Sequence, residues 1–170
     1  FEILTVAGIT KIKVSSTANE PYANDSVRMI NVENIEFDDE IVSVDTILPA
    51  ANVIWGSSAA ETITGTDADD LIDSAGDSDR IDGGDGNDTL AVFADADGFE
   101  ILTLLGITKV FADFSLFGGL ADVYNLATIT LINVETIAFA DGNVAVDTAL
   151  PGANIIWGKD WWQDPDNIIG

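Results

Sequence analysis

A nine-residue period is the feature of this sequence that most restricts its fold. Divided into nines from Gly56, residues 56–100 read GSSAAETIT, GTDADDLID, SAGDSDRID, GGDGNDTLA and VFADADGFE. The sixth position of each nine is acidic, and the eighth carries a large apolar side chain. Six residues rich in Gly, Asp, Asn and Ser favour a turn, and the next three favour a short strand with one inward apolar side chain. Two nines therefore predict one coil of a parallel β-solenoid.

The same period predicts the arrangement of the acidic side chains. Turns 18 residues apart lie on the same edge of such a solenoid, which places Asp70 over Asp88. On the other edge it stacks Glu61, Asp79 and Asp97. Stacked carboxylates repel one another strongly unless a cation lies between them. A hard divalent ion with oxygen ligands fits this need, and the larger, more flexible coordination sphere of calcium favours it over magnesium.

Two longer segments occur twice in the chain. Residues 1–11 recur at 99–109 with nine of 11 positions identical, and residues 29–56 recur at 131–158 with 18 of 28 identical. Both are rich in Ile, Val, Thr and Phe and are interrupted by Gly and Pro, which predicts strands rather than helices. Units of this kind bury their ends by stacking on neighbours, so we expect an excerpt from a tandem array. The expected partners are neighbouring repeats or other copies of the chain.

The repeats and the nine-residue period together predict four parts. In order, they are a first β-rich segment, a β-roll, a second β-rich segment and the start of another roll, at residues 1–55, 56–98, 99–157 and 158–170. The nine-residue frame enters the roll through Asn52 and Ile54 without a linker. We therefore expect the β-rich segments to continue or cap the roll. A separate small β-sandwich is the alternative.

Composition excludes several classes of function. The 170 residues include 6 basic and 30 acidic side chains, a net charge of −24 that repels nucleic acid and anionic membranes. The sequence has no His and no Cys, which excludes imidazole acid–base chemistry, thiol nucleophiles, disulfides and the usual zinc ligands. No apolar stretch is long enough for membrane insertion. The sequence also lacks nucleophile and phosphate-loop motifs, so we expect a protein that is not an enzyme.

One nonapeptide carries a resemblance to a known family. GGDGNDTLA, at residues 83–91, is similar in full to the motif GGxGxDxUx of RTX (repeats-in-toxin, hemolysin-type) calcium-binding proteins. The neighbouring nines, from residue 56 to about 99, look like degenerate versions that lack the paired glycines. The resemblance implies an all-β, right-handed parallel β-roll with calcium in its turns. It also implies type I secretion from a bacterium and folding outside the cell.

The resemblance also assigns a metal site residue by residue. The sixth-position acids are its side-chain ligands: Asp70, Asp79, Asp88 and Asp97, with Glu61 as a weaker candidate. Carbonyl groups of the turns that begin at Gly65, Ser74 and Gly83 complete the coordination. Asp67 and Asp85 in these turns are expected to be surface charges or to lie around the coordinated ion, rather than to bind it directly. The alternative is an acidic, solvated edge without an ion. Twelve acids in residues 56–97 against the single base Arg80 favour calcium.

Two functions are compatible with these features. The first is a calcium-stabilised structural module of a large secreted bacterial surface protein, such as an adhesin stalk, fibre or surface layer, that folds on binding calcium after export. The alternative is an adhesion module that binds carbohydrate, with surface glycans as partners. In that case Trp161 and Trp162 stack on sugar rings. We expect Trp55 and its repeat equivalent Trp157 to cap the core of the roll.

Overall fold

A computed structural model of the chain describes residues 2–13, 26–44, 52–112 and 128–146, and in these ranges the protein is all-β. The first β-rich segment forms five strands: β1 (Glu2–Val6), β2 (Ile9–Lys13), β3 (Ser26–Met29), β4 (Asn34–Glu36) and β5 (Ile41–Ser43). The next five are β6 (Asn52–Trp55), β7 (Thr62–Thr64), β8 (Asp70–Asp73), β9 (Arg80–Asp82) and β10 (Thr89–Ala91). The second segment forms β11 (Phe99–Leu104), β12 (Ile107–Ala112), β13 (Ile129–Ile132), β14 (Thr136–Phe139) and β15 (Gly142–Ala145). Within these ranges, no helix has the length and hydropathy needed to cross a membrane.

Strands 18 residues apart pair in parallel, as the nine-residue period predicts. In one sheet β8 lies between β6 and β10, so that Ile72 is opposite both Ile54 and Leu90. In the other sheet β7 pairs with β9, and Ile63 is opposite Ile81. The eighth-position side chains of both sheets meet in one buried apolar cluster, which we call the interior core. The prediction that this position fills the core is confirmed for these strands.

The second β-rich segment continues both sheets. β13 pairs in parallel with β9, placing Leu131 opposite Ile81, and β14 pairs in parallel with β10, placing Ile137 opposite Leu90. β12 then pairs antiparallel with β13, and β11 pairs antiparallel with β12. In the other sheet β15 pairs antiparallel with β14. Both sheets are therefore mixed, and the described residues form no closed solenoid. The expected continuation of the roll is confirmed for β13 and β14.

The first β-rich segment packs on the outside of the roll. β1, β2 and β3 form their own antiparallel sheet, and β4 pairs only with β5 among the described strands. The sheet of β6, β8, β10 and β14 turns one row of side chains away from the interior core, and we call this row the outer face: Val53, Leu71, Ala91, Phe93 and Ala138. The β1–β2 hairpin packs against this face through Leu4, Val6 and Ile9.

Trp55 does not cap the core. It follows the inward Ile54 at the end of β6, so the alternation of a strand turns its side chain outward. The indole is exposed, and the guanidinium of Arg28 lies 5.0 Å from its ring centre. Arg28 also forms an ion pair of 3.0 Å with the buried Asp73. Trp55 therefore helps join the first β-rich segment to the roll, and Trp157 lies outside the described residues.

Truncation of Ile81 tests the interior core. Because this side chain is fully buried between the two sheets, Ile81→Ala should lower the free energy of unfolding by about 2 to 5 kcal/mol. Ile41→Ala makes the same chemical change at an exposed position of β5 and should cost less than about 0.5 kcal/mol. Urea unfolding in calcium measures both. Equal effects of the two substitutions would contradict the proposed core.

Candidate metal centre

The acidic side chains form hydrogen-bonded ladders along the edges of the two sheets. Parallel pairing aligns each turn with the turn 18 residues later, so each sixth-position carboxylate lies beside the amide of the one before it. The Asp70 amide donates to Asp88 Oδ1 at 2.8 Å, and the Glu61 amide donates to Asp79 Oδ1 at 3.0 Å. The predicted stacking of these four acids is confirmed. Their role as metal ligands stays a prediction.

Asp79 and Asp88 each keep one buried oxygen without a hydrogen-bond partner. Both residues are almost completely inaccessible to solvent, and the unpartnered atoms are Asp79 Oδ2 and Asp88 Oδ2. A buried carboxylate oxygen without a donor destabilises the fold unless a cation or a proton neutralises it. These two oxygens are therefore the strongest sign of a cation in the described residues.

Glu61 and Asp70 differ from these two acids because their carboxylates bind their own turns. The Thr66 amide donates to Asp70 Oδ2 at 2.6 Å, and the Ser57 amide donates to Glu61 Oε1 at 2.5 Å. In this geometry the carboxylates cap the turns that precede them. These two residues are thus less dependent on an ion than Asp79 and Asp88.

Two glycines leave space in which carbonyl and carboxylate oxygens converge. A Cβ atom on Gly65 would collide with the Gly83 carbonyl oxygen and lie 2.7 Å from Asp70 Oδ2. A Cβ atom on Gly83 would collide with both the Asn133 carbonyl oxygen and Asp88 Oδ2. Calcium accepts both kinds of oxygen in flexible geometry. The glycines of the period therefore keep open the space that a coordinated ion needs.

No group of three or more carboxylates converges anywhere in the residues that the structure describes. An ion at these turns would therefore take backbone carbonyl oxygens in addition to carboxylates. Asp88 would supply Oδ2 and Asn133 its carbonyl oxygen at one turn, and Asp70 and Gly83 would do the same at the turn before. Oxygen donors of this mixed kind fit calcium.

Burial changes the protonation of the two acids with unpartnered oxygens. Desolvation raises the pKa of Asp79 from 3.8 to about 6, and the hydrogen bond from the Glu61 amide only partly opposes it. Desolvation likewise raises the pKa of Asp88 to about 6, opposed by the hydrogen bond from the Asp70 amide. The negative charges of Glu61 and Asp77 around Asp79 raise its pKa further, and Glu135, Asp70 and Asp69 act in the same way on Asp88.

Two residues of the second β-rich segment complete the ladder and were not predicted from the sequence. Glu135 Oε2 accepts the amide of Asp88 at 2.7 Å, so it occupies the place of the next acid in the Asp70–Asp88 ladder. Asn133 occupies the place of the next turn glycine, with a left-handed φ of 48°, and donates to Asp82 Oδ1 at 2.9 Å. The sequence does contain a signal for these two residues, since the triplet Asn-Val-Glu occurs in both β-rich segments, at 31–33 and 133–135.

The structure does not place Asp97 in the ladder, and its predicted stacking on Asp79 is wrong. Asp97 is exposed in a single 3₁₀ turn, Ala96–Gly98, because the chain leaves the roll after β10. The position beside Asp79 belongs to β13, whose Thr130 amide donates to the Asp79 carbonyl oxygen at 2.8 Å. Asp67 and Asp85 are exposed, as expected of surface charge. Trp161 and Trp162 lie outside the described residues.

Comparison with known families agrees with the chemistry of these turns. A family model described as the RTX calcium-binding nonapeptide repeat, in four copies, matches residues 55–90. This range contains β7 to β9, both glycine-lined spaces and the ladder acids from Glu61 to Asp88. No curated protein matches the chain. The resemblance and its cofactor, calcium, are therefore confirmed for the nonapeptides.

The raised pKa values predict how pH affects the chain without calcium. Between about pH 4 and pH 6 the folded state binds protons at Asp79 and Asp88 that the unfolded state has released. In chelator, the free energy of unfolding should therefore fall as pH rises through this window, with the full loss reached above about pH 6. Far-UV circular dichroism in chelator at a series of pH values measures the corresponding loss of β-structure.

The control for this prediction is the double substitution Asp79→Asn and Asp88→Asn. It removes both titrating groups, so its stability should change less with pH across the same window. The remaining acids are the same in both proteins, so their contribution to the pH dependence of stability is the same. Identical pH profiles for the two would contradict the assignment to Asp79 and Asp88.

Glu135 offers a separate test of the ladder. Glu135→Ala leaves the buried Asp88 amide without its acceptor and should lower the free energy of unfolding by about 1 to 3 kcal/mol. Glu33 is its repeat equivalent and is exposed, so Glu33→Ala is the matched control and should have little effect. Chemical denaturation of both variants compares them. The ladder is refuted if Glu33→Ala proves as costly as Glu135→Ala.

Proposed function

We propose that this chain, whose residues 55–90 are RTX calcium-binding nonapeptide repeats, is a structural module of a large secreted bacterial surface protein. In this role calcium folds and stiffens the roll outside the cell, and the module serves as part of a stalk, fibre or surface layer. The function is mechanical rather than enzymatic. A right-handed roll with calcium in successive turns is the form that we propose for the loaded state.

The unpartnered oxygens of Asp79 and Asp88 carry this proposal. Both oxygens are buried where a bare charge is destabilising. Asp88 Oδ2 also lies near the Asn133 carbonyl oxygen, at the turn that begins with Gly83. Calcium would neutralise both charges and accept both oxygens. Since the site forms only when strands from separate turns are aligned, the energy of ion binding becomes energy of folding.

Charge explains why folding would await export. Twelve acids against one base in residues 56–97 repel one another when calcium is scarce, so the roll would remain unfolded inside the cell and suited to passage through a secretion channel. Extracellular calcium modules bind with Kd of about 10⁻⁴ to 10⁻³ M, which millimolar calcium outside the cell saturates. The extracellular location and the secretion route are parts of this proposal.

A calcium titration followed by far-UV circular dichroism and calorimetry tests the proposal. We expect a cooperative gain of β-structure at sub-millimolar to millimolar calcium and no such gain with magnesium. Asp79→Asn and Asp88→Asn should each raise the calcium midpoint by about tenfold or more, because each removes a ligand charge from a buried site.

Asp95→Asn is the matched control. It makes the same change of charge at an exposed residue whose side chain caps nothing, and its calcium midpoint should stay near that of the unmodified chain. A chain that responds to neither calcium nor chelator would overturn the proposal. The proposal would also be overturned if Asp95→Asn raised the calcium midpoint as much as Asp88→Asn does.

A further inference from the structure

The two β-rich segments present hairpins of the same construction. In β1–β2, Leu4 is opposite Lys11, and in β11–β12 the equivalent Leu102 is opposite Lys109. Both hairpins turn through a non-glycine residue and a glycine with positive φ, Ala7 at 47° in the first and Leu105 at 52° in the second. Because backbone, register and most side chains agree, the two hairpins differ mainly in what surrounds them.

The first hairpin is covered by the roll that follows it in the chain. Its face of Leu4, Val6 and Ile9 packs on the outer face, and Val6 is only 2% exposed. The ammonium group of Lys11 in the same face lies 5.4 Å from the ring centre of Phe93. The nearby negative charge of Asp73 acts on Lys11 as well. Apolar contact and charge therefore both contribute to this interface.

The equivalent face of the second hairpin is open to solvent. Leu102 is exposed, and Leu104 and Leu105 are 69% and 84% exposed. The opposite face of this hairpin packs on the interior core through Ile101 and Val110. The hairpin thus has two apolar faces, and one of them is covered. A contiguous exposed group of leucines marks an interaction surface in a soluble protein.

In the first β-rich segment the exposed apolar residue lies in β3 instead of in the hairpin. Val27 in β3 is 58% exposed, whereas its repeat equivalent Ile129 in β13, which lies beside β9, is 2% exposed. The first segment therefore displays the contact with a following roll, and the second displays the contact with a preceding roll. Combined, the two copies describe a segment that lies between two rolls and packs on both.

We infer that the face formed by Leu102, Leu104 and Leu105 binds the outer face of a roll in a second copy of this repeat unit, joined in tandem. The inference rests on the proposed structural function and adds the surface through which successive units meet. The partner face consists of the residues of the next copy that are equivalent to Val53, Leu71, Ala91 and Phe93. It also carries the acid equivalent to Asp73. The exposed Lys109 takes the place of Lys11 opposite that acid.

The test uses an extended chain in which residues 56–170 follow Trp157. Trp157 and Gly158 are equivalent to Trp55 and Gly56, so this junction joins matching positions of the repeat. The extended chain carries the β11–β12 hairpin twice, first with the complete nine-residue repeats 56–98 after it and then without them. Because the sequence contains no cysteine, a single Leu104→Cys in either hairpin reports its own accessibility through the rate of thiol labelling.

In calcium, we expect the thiol in the first of these hairpins to be labelled at least about tenfold more slowly than the thiol in the second. Val6→Cys in the 170-residue chain is the control for a covered hairpin. Equal labelling of the two Leu104→Cys thiols, with Val6→Cys protected and calcium-induced folding intact, would overturn this inference and leave the proposed function standing. Concentration-dependent protection of Leu104→Cys in the 170-residue chain would also overturn it, because separate chains would then be the occupants.

Discussion

The burial of stacked carboxylates is the constraint on which the rest of this structure depends. Parallel strands at a fixed spacing bring equivalent turns into contact, and in this sequence the equivalent residues are acidic. Hydrogen bonds from backbone amides hold one oxygen of Asp79 and of Asp88, but they leave the other oxygen of each without a partner. The same arrangement that defines the roll therefore leaves two buried oxygens that a cation or a proton can neutralise. The glycines beside these acids matter because a side chain there would fill the space that the oxygens surround.

The second β-rich segment shows that the ladder does not require an unbroken nine-residue period. After β10 the chain leaves the roll, forms a hairpin and returns as β13 and β14 in parallel register with β9 and β10. Asn133 and Glu135 then take the places of a turn glycine and a ladder acid. Position in the sheet, rather than distance along the sequence, decides which residues complete the ladder. This is why both sheets combine parallel roll strands with antiparallel strands from the hairpins.

Sequence reasoning identified the all-β class, the parallel pairing at 18 residues, the inward apolar positions and the stacking of four acids. Those features depend on a local period that repeats without interruption from Gly56 to Ala91. The stacking predicted for Asp97 was wrong, because a period in the sequence does not reveal where a different strand takes the next place in a sheet. Phe99, in the same nine, still packs against the interior core. Trp55 was misplaced for a simpler reason: the inward Ile54 beside it already required an outward side chain. Glu135 was missed because its partner, Asp88, lies 47 residues earlier in the chain.

The unit that repeats in the sequence and the unit that packs in space are offset from one another. The sequence repeat ends where the second hairpin begins, yet β13 and β14 of the next repeat finish both sheets of the roll. An exchange of genetic material between the equivalent positions at Trp55 and Trp157 would join matching positions of the sequence repeat. Such an exchange would insert a whole roll together with the strands that finish it, so the proposed tandem array would change in length by one unit at a time. The strand order therefore allows whole repeat units to be added or removed. The number of units can then change in evolution without a change in the residues of the calcium-binding turns.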